Sequence, residues 1–232
     1  MPTTVAADPA LLDVRRLRAL RGPNLWRLAP VIACEVVTGP LEALTSADVA
    51  GFAERLLAAL PPVGEHPCSR GTPGGFRERL GEGTGWPHIL EHVALELQAQ
   101  AGSDVEFGRV VAADDPAVWN LVVEYAEEEV GLASVREALA LVRACFGDGA
   151  PAPAGAAAVA RVQAVMERVH LGPSTGAIVE EARRRGIPVR RLNDRSLVQL
   201  GLGRHLRRIE STMSDSTSII AVELAQDKDL TK

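Results

Sequence analysis

Aromatic residues are scarce in this chain. Its 232 residues hold four Phe, three Trp and one Tyr, while 47% are hydrophobic, so the core must be built mainly from Leu, Val, Ile and Ala. Cysteine is also sparse: Cys34, Cys68 and Cys145 are odd in number and widely spaced, with no CxxC pair. That excludes a disulfide framework and a zinc ribbon, and the simplest expectation is reduced thiols in a cytoplasmic protein. Lysine occurs only at Lys228 and Lys232. No basic stripe interleaved with aromatics exists, so nucleic acid is not an expected partner. No apolar run approaches the roughly 20 residues needed to span a bilayer, and the N-terminus lacks a charged-then-apolar pattern. Neither a membrane nor a signal peptide is expected.

What is present is unevenly distributed. Residues 1–150 carry 12 Arg against 21 Asp and Glu, a net of −9, whereas residues 151–232 carry a net of +4. The asymmetry points to two units with different partners. In the first, APVIACEVV over 29–37 reads as a buried strand, and Ser46 reads as the N-cap of a helix containing Leu56, Leu57 and Leu60. GEHPCSRGTPGGF over 64–76 is a Gly/Pro-rich loop, followed by a helix from Pro87 to about Ala101 and a strand over 107–112. Residues 116–146 read as two helices, or one kinked at Gly131. The low-complexity stretch 147–158 is the clearest linker. A short helix at about 158–169, a helix over 176–185 and strands over 187–192 and 217–225 then follow. The fold class is an α+β domain followed by the opening of an α/β layer.

The residues that carry chemistry are His88-Ile-Leu-Glu-His92. A helix puts His88 and His92 on one face, one turn apart, where both imidazoles can reach one metal ion. Glu91, beside His92, is the candidate general base. The order H-x-x-E-H is the inverted zincin pattern. Zinc lowers the pKa of water it binds toward ~7, and a neighbouring carboxylate takes the proton. Catalytic zinc needs three protein ligands. The candidate third is Glu124, with Glu96, one turn beyond His92, as the local alternative. A solvated or hydrogen-bonded helix face would show the same spacing, because a five-residue motif recurs by chance.

Other features have blander readings. His66 and Cys68 lie in the Gly-rich loop and could face a site, although a loop histidine is more often a structural hydrogen-bonding residue. Gly71 to Gly75 could cradle an anion, but no helix bearing a P-loop Lys-Ser/Thr follows. Glu127 to Glu129 read as a solvated helix face, and Arg183 to Arg185 suit a helix C-terminus.

Several stretches together resemble the cyanophycin synthetase family. They are Arg21-Gly-Pro-Asn-Leu-Trp26, Glu65-His-Pro-Cys-Ser69 with Gly74-Gly75-Phe76, Glu82-Gly-Thr, His88 through Gln98, Phe107-Gly108-Arg109 and Tyr125 with its flanking acids. Leu171-Gly-Pro-Ser-Thr175 and Ser196-Leu-Val-Gln-Leu-Gly201 resemble the start of that family's ATP-grasp domain. The resemblance implies an N domain over 1–150 with a metallopeptidase-like helix and sheet. It further implies a linker and short helix over 151–170, and an incomplete ATP-grasp ligase domain over 171–232. It also implies an ATP- and magnesium-dependent parent enzyme that adds aspartate and arginine to cyanophycin and works as a homo-oligomer. The N domain would hold the polymer and, in some members, cleave it into primers at a zinc site. Lys228 resembles a nucleotide-contacting lysine. A chain ending at Lys232 would lack the complete ligase sites, so it is expected to bind polymer and not to ligate. Trp86 and Pro87 depart from the family, which often has Gly before that His.

Overall fold

The computed structural model describes residues 8–147 and 152–226. The chain divides into two compact units, Met1–Arg168 and Val169–Lys232.

The first unit opens with strands β1 (Asp13–Leu20) and β2 (Val31–Val37) and continues with helices α1 (Phe52–Ala59), α2 (Gly75–Glu82) and α3 (Trp86–Gln100). Strands β3 (Gly108–Ala112) and β4 (Val118–Glu124) follow, then α4 (Glu128–Ala144) and α5 (Gly155–Val169). The strands form one antiparallel sheet in the order β1-β2-β4-β3. β2 is buried on both faces, which explains its continuous apolar run. Ile32 and Cys34 lie opposite Val123 and Leu121, and α4 packs over Ile32 on that face. Val31, Ala33 and Val122 form a second cluster on the other face, against Leu20, Trp26 and Phe107.

α3 is the central element. Eleven of its fifteen residues are buried, so it is embedded nearly all round rather than lying along one face. Gly85 caps it, and Pro87 sits in its first turn, where the missing N–H breaks no helical bond. Trp86, fully buried, donates its indole N–H to the Leu41 carbonyl at 2.9 Å. Its ring packs against Phe146 at 4.5 Å and edge-on to Phe52 at 5.2 Å. Three of the chain's few aromatics therefore anchor the start of the helix that bears the H-x-x-E-H motif.

Three expectations for this unit are corrected. Residues 116–146 are not two helices: Val118–Glu124 is the strand β4, and only Glu128–Ala144 is helical. A short run of Val, Trp and Leu has no periodicity that separates a buried strand from a buried helix, and pairing with β2 and β3 settles it. Gly131 is no break. It lies in the first turn of α4, where a Cβ would come within 2.8 Å of both Ile32 and Tyr125, so glycine permits the helix to close on the sheet. Ser46 does not cap α1. Thr45 and Asp48 form a reciprocal capping box around a short 3-10 turn, and Ser46 instead donates to the Leu80 carbonyl and accepts the Thr84 N–H. α2 begins at the last residues of the expected Gly-rich loop and is an element that the pattern did not reveal.

In the second unit, α6 (Pro173–Arg184) precedes strands β5 (Val189–Arg191), β6 (Leu197–Leu200), β7 (Arg207–Glu210) and β8 (Met213–Ser214), and α7 (Ile219–Gln226) follows. The strands pair in sequence order as an antiparallel meander, so the expected strand–helix alternation is absent among the described residues. Leu171, Val179, Val198 and Ile209 form the core. The expected strand over 217–225 is helical from Ile219, with the Ser218 hydroxyl accepting the Ala221 N–H as an N-terminal cap. Of the expected linker, residues 148–151 lie outside the described residues, and α5 already begins at Gly155. Lys228 also lies outside them. Among the described residues no helix is long and apolar enough to cross a membrane.

Candidate metal centre

α3 holds His88 and His92 one turn apart, as the spacing requires. A third donor comes from the loop before α2. Cys68 sits in a short 3-10 turn with a positive φ of 51°, a strained conformation for a residue with a Cβ. The turn packs tightly on the start of α2, where a Cβ on Gly75 would lie 2.3 Å from the Pro67 carbonyl. Together these features bring the Cys68 Sγ to 3.2 Å from His88 Nε2, and His88 Nε2 to 3.2 Å from His92 Nε2. All three donor atoms lie within 4.8 Å of one another.

The spacing tests whether the set suits zinc. Tetrahedral coordination at Zn–N ≈ 2.05 Å and Zn–S ≈ 2.3 Å places two nitrogens about 3.3 Å apart and a nitrogen and sulfur about 3.6 Å apart. The observed 3.2 Å between the two nitrogens is close to the first value, and the 3.2 Å between His88 Nε2 and Cys68 Sγ is somewhat shorter than the second. One thiolate and two imidazoles also form a borderline-soft donor set of the kind zinc favours. The residues fit the group, and they leave a fourth position for another ligand.

A chain of polar contacts orients the imidazoles. Glu96, 5% exposed, faces His66 Nε2 at 2.8 Å, and its other oxygen accepts from the Gln100 amide at 2.6 Å. An ionised carboxylate can only accept, so in the singly protonated tautomer that this contact selects, His66 carries its proton on Nε2 and offers Nδ1 as an acceptor. His66 Nδ1 lies 2.9 Å from His92 Nδ1, which must then be the donor. The consequence is a free lone pair on His92 Nε2, the atom that faces His88 and Cys68. His88 Nδ1 contacts the Thr84 hydroxyl at 2.8 Å, which lets its own Nε2 serve in the same way. This is the outer-shell arrangement by which a carboxylate, here relayed through a second histidine, fixes the tautomer of a metal-ligating imidazole.

The surroundings keep both histidines neutral. Burial holds His92 down to about 3, helped by the neighbouring His88 and His66. Burial holds His88 down to about 4, helped by the positive charge of Arg79. The Phe76 ring stacks on His92 at 4.1 Å and meets His88 edge-on at 5.7 Å.

The carboxylates that the sequence offers are distributed differently. Glu91 is on α3 beside His92, but its side chain leans on Gly108 of β3, where a Cβ would lie 2.5 Å from its Oε1. Burial alone raises its pKa to about 7. Glu124 is not gathered with His88 and His92: it pairs with Arg27 at 2.9 Å and accepts the backbone N–H of Phe107. Its place at the end of β4 puts it on the face of the sheet that carries Val122, where Arg27 also lies over Phe107. Glu96 reaches the site only through His66. Cys68 and His66, two loop residues with only the bland signal of lying near a motif, are the ones brought in. Cys34 and Cys145, whose thiols burial pushes up to about 12, lie elsewhere.

Residues 33–146 match the family described as the cyanophycin synthase-like N-terminal domain. Curated relatives include cyanophycin synthetases from Trichormus variabilis and from a Nostoc species, each 41% identical over 224 residues. Another, from a Synechocystis species, is 38% identical over 230 residues. These alignments cover 95% of this chain but only 25–26% of the relatives, so the chain spans about a quarter of their length.

Proposed function

The chain is homologous to the N-terminal region of cyanophycin synthetase, and on that premise we propose that it is the polymer-handling part of an ATP-dependent ligase building multi-L-arginyl-poly-L-aspartate. In this reading it holds the polymer, while ligation belongs to the whole protein. The carrying observation is the sustained match of nearly the entire chain to one quarter of those synthetases. Polymer holding is further supported by the net charge of −9 over residues 1–150, which suits guanidinium groups. Exposed pairs of this kind are individually weak, so attachment would be loose and sliding. Residues 171–232 would open the ATP-grasp domain, with Lys228 approaching the nucleotide and ATP and magnesium acting in the full-length enzyme. The test is binding of the purified chain to soluble cyanophycin at rising ionic strength. Binding that weakens with salt supports the reading, and no binding at low salt overturns it.

A second reading is favoured by the Cys68–His88–His92 geometry: a zinc-dependent hydrolase that cuts cyanophycin into primers. Zinc would supply Lewis acidity there. Glu91, which adjoins His92 in sequence and whose pKa burial raises to about 7, would be the group that accepts a proton. Zinc at one per chain, with polymer shortening that chelator and Glu91→Gln both abolish, would establish this reading. Zinc without shortening would leave the metal a structural role.

A further inference from the structure

β1 carries a bulge. Arg15 lies opposite Glu35, but the next partnered residue, Arg18, lies opposite Ala33, so three steps along β1 match two along β2. Without the extra residue, strand alternation would put Leu17 opposite Ala33. The bulge turns Arg18 onto that face instead, at the cost of strain at Arg16, whose φ of 51° is uncommon for a residue with a Cβ. Arg16 reaches Glu35 Oε1 at 2.7 Å. Arg18 is exposed and has no ion-pair partner among the described residues.

On this face Trp26 packs against Ala33 and Val122. The loop that delivers Trp26 is stapled by Asn24, whose amide donates to the Gly22 and Ala29 carbonyls while its oxygen accepts the Trp26 and Arg27 N–H groups. The stapled loop holds Leu25 and Leu28 81% and 84% exposed. A cavity of about 140 Å³ opens here, with Arg16, Arg18, Leu25, Trp26, Glu35 and Asn120 in its lining. Charge on an edge strand also discourages pairing with another sheet. That accounts for arginine on β1, but not for a strained bulge that aims it into a cleft walled by Leu25 and Trp26.

We propose that this cleft docks one aspartate–arginine unit of the polymer: Arg18 takes the free carboxylate of the attached arginine, Leu25 and Trp26 receive its aliphatic stem, and Glu35 with Asn120 meets its guanidinium. The inference rests on the polymer-handling reading and gives it a site. An aspartate side chain offers a carboxyl, so each attached arginine joins through an amino group and leaves its own carboxylate free. A unit with a net charge of −9 attracts guanidinium groups but repels those carboxylates, so a polymer bearing both in every repeat needs a cation placed to meet one. An arginine fork suits a carboxylate better than lysine does. Arg16 holds one oxygen of Glu35 and leaves the other for a guanidinium.

The test uses the whole chain and two probes: a short soluble aspartate–arginine oligomer, and the same oligomer with its arginine carboxylates converted to amides. Affinities are read by titration calorimetry at low salt, with circular dichroism to check folding. Arg18→Ala is expected to weaken binding of the free-carboxylate oligomer about tenfold, the lower end for a charge-assisted bond because the cleft is open to water. It should leave the amidated oligomer at the weaker affinity wild type shows for it. Leu25→Ser, at an exposed position, should weaken both probes alike. Arg136→Ala, on the exposed side of α4, should change neither and so controls for overall charge. An unchanged affinity in Arg18→Ala or in Leu25→Ser, an equal loss for both probes in Arg18→Ala, or the same loss in Arg136→Ala would overturn the site while leaving polymer handling intact. Wild type that binds neither probe would overturn both, and self-association abolished by Leu25→Ser would then assign the face to a second copy of the chain.

Discussion

Glu96→Gln is the most informative single substitution at the candidate metal centre, because it changes a proton position and almost no volume. In the wild type, Glu96 accepts from Gln100 on one oxygen and from His66 Nε2 on the other. A glutamine there would keep its carbonyl oxygen toward the Gln100 amide, so its own NH2 group would face His66. The relay then reverses: His66 becomes the donor at Nδ1, His92 accepts at its Nδ1, and the proton on His92 moves to Nε2, the proposed metal-ligating atom. Restoring the ligating tautomer leaves the glutamine NH2 facing the His66 N–H, a buried donor without an acceptor, which costs about 1–3 kcal/mol. That corresponds to roughly 10–100-fold weaker zinc binding, the range observed for outer-shell changes at metal sites. The assay is competition for zinc against a chromophoric chelator at pH 7.5, with the unfolding of the metal-free variant measured alongside. Wild-type zinc affinity in Glu96→Gln would refute the relay.

Replacing a ligand should do more. His92→Ala or Cys68→Ala is expected to abolish zinc at one per chain by elemental analysis, whereas Glu124→Gln should retain it, because Glu124 is engaged with Arg27. Trp86→Ala removes a fully buried ring, its two aromatic neighbours and a hydrogen bond, and should cost about 3–5 kcal/mol in urea unfolding. Gly131→Ala places a Cβ 2.8 Å from Ile32 and Tyr125 and should cost about 1–3 kcal/mol by overpacking. Glu91 has a folded pKa of about 7 against an ordinary 4.5, so between those values the native chain keeps a proton that the unfolded chain has released. Its contribution therefore makes stability fall as pH rises through that window, and Glu91→Gln should remove a slope of up to about 1.4 kcal/mol per pH unit. His88 and His92 act in the opposite sense. Their pKa values of about 4 and 3, against 6.5, mean that the unfolded metal-free chain binds the extra protons, so acidification from pH 6.5 to 4 should destabilise it. Urea midpoints against pH for wild type and Glu91→Gln would test both signs.

Local pattern was enough wherever the chemistry is local. Pro87 and the spacing of apolar residues after it announced α3, the apolar run over 31–37 announced β2, and the four-residue interval between His88 and His92 was already a statement about one helix face. Pairing and packing over long separations decided the rest. Val118–Glu124 is a strand because β2 and β3 flank it, and Ile219–Gln226 is a helix with a serine cap despite its β-branched start. The ligand set shows the division most clearly. His88 and His92 follow from helical periodicity alone. Cys68 and His66 lie 20 and 26 residues from their partners and arrive through a strained loop turn and the close approach of Gly75 to Pro67. Glu124 carries the right chemistry on the wrong side of the sheet, bound to Arg27. Residue type and short-range spacing set which groups were available, and only the folded backbone, through loop closure and strand register, determined which of them could meet.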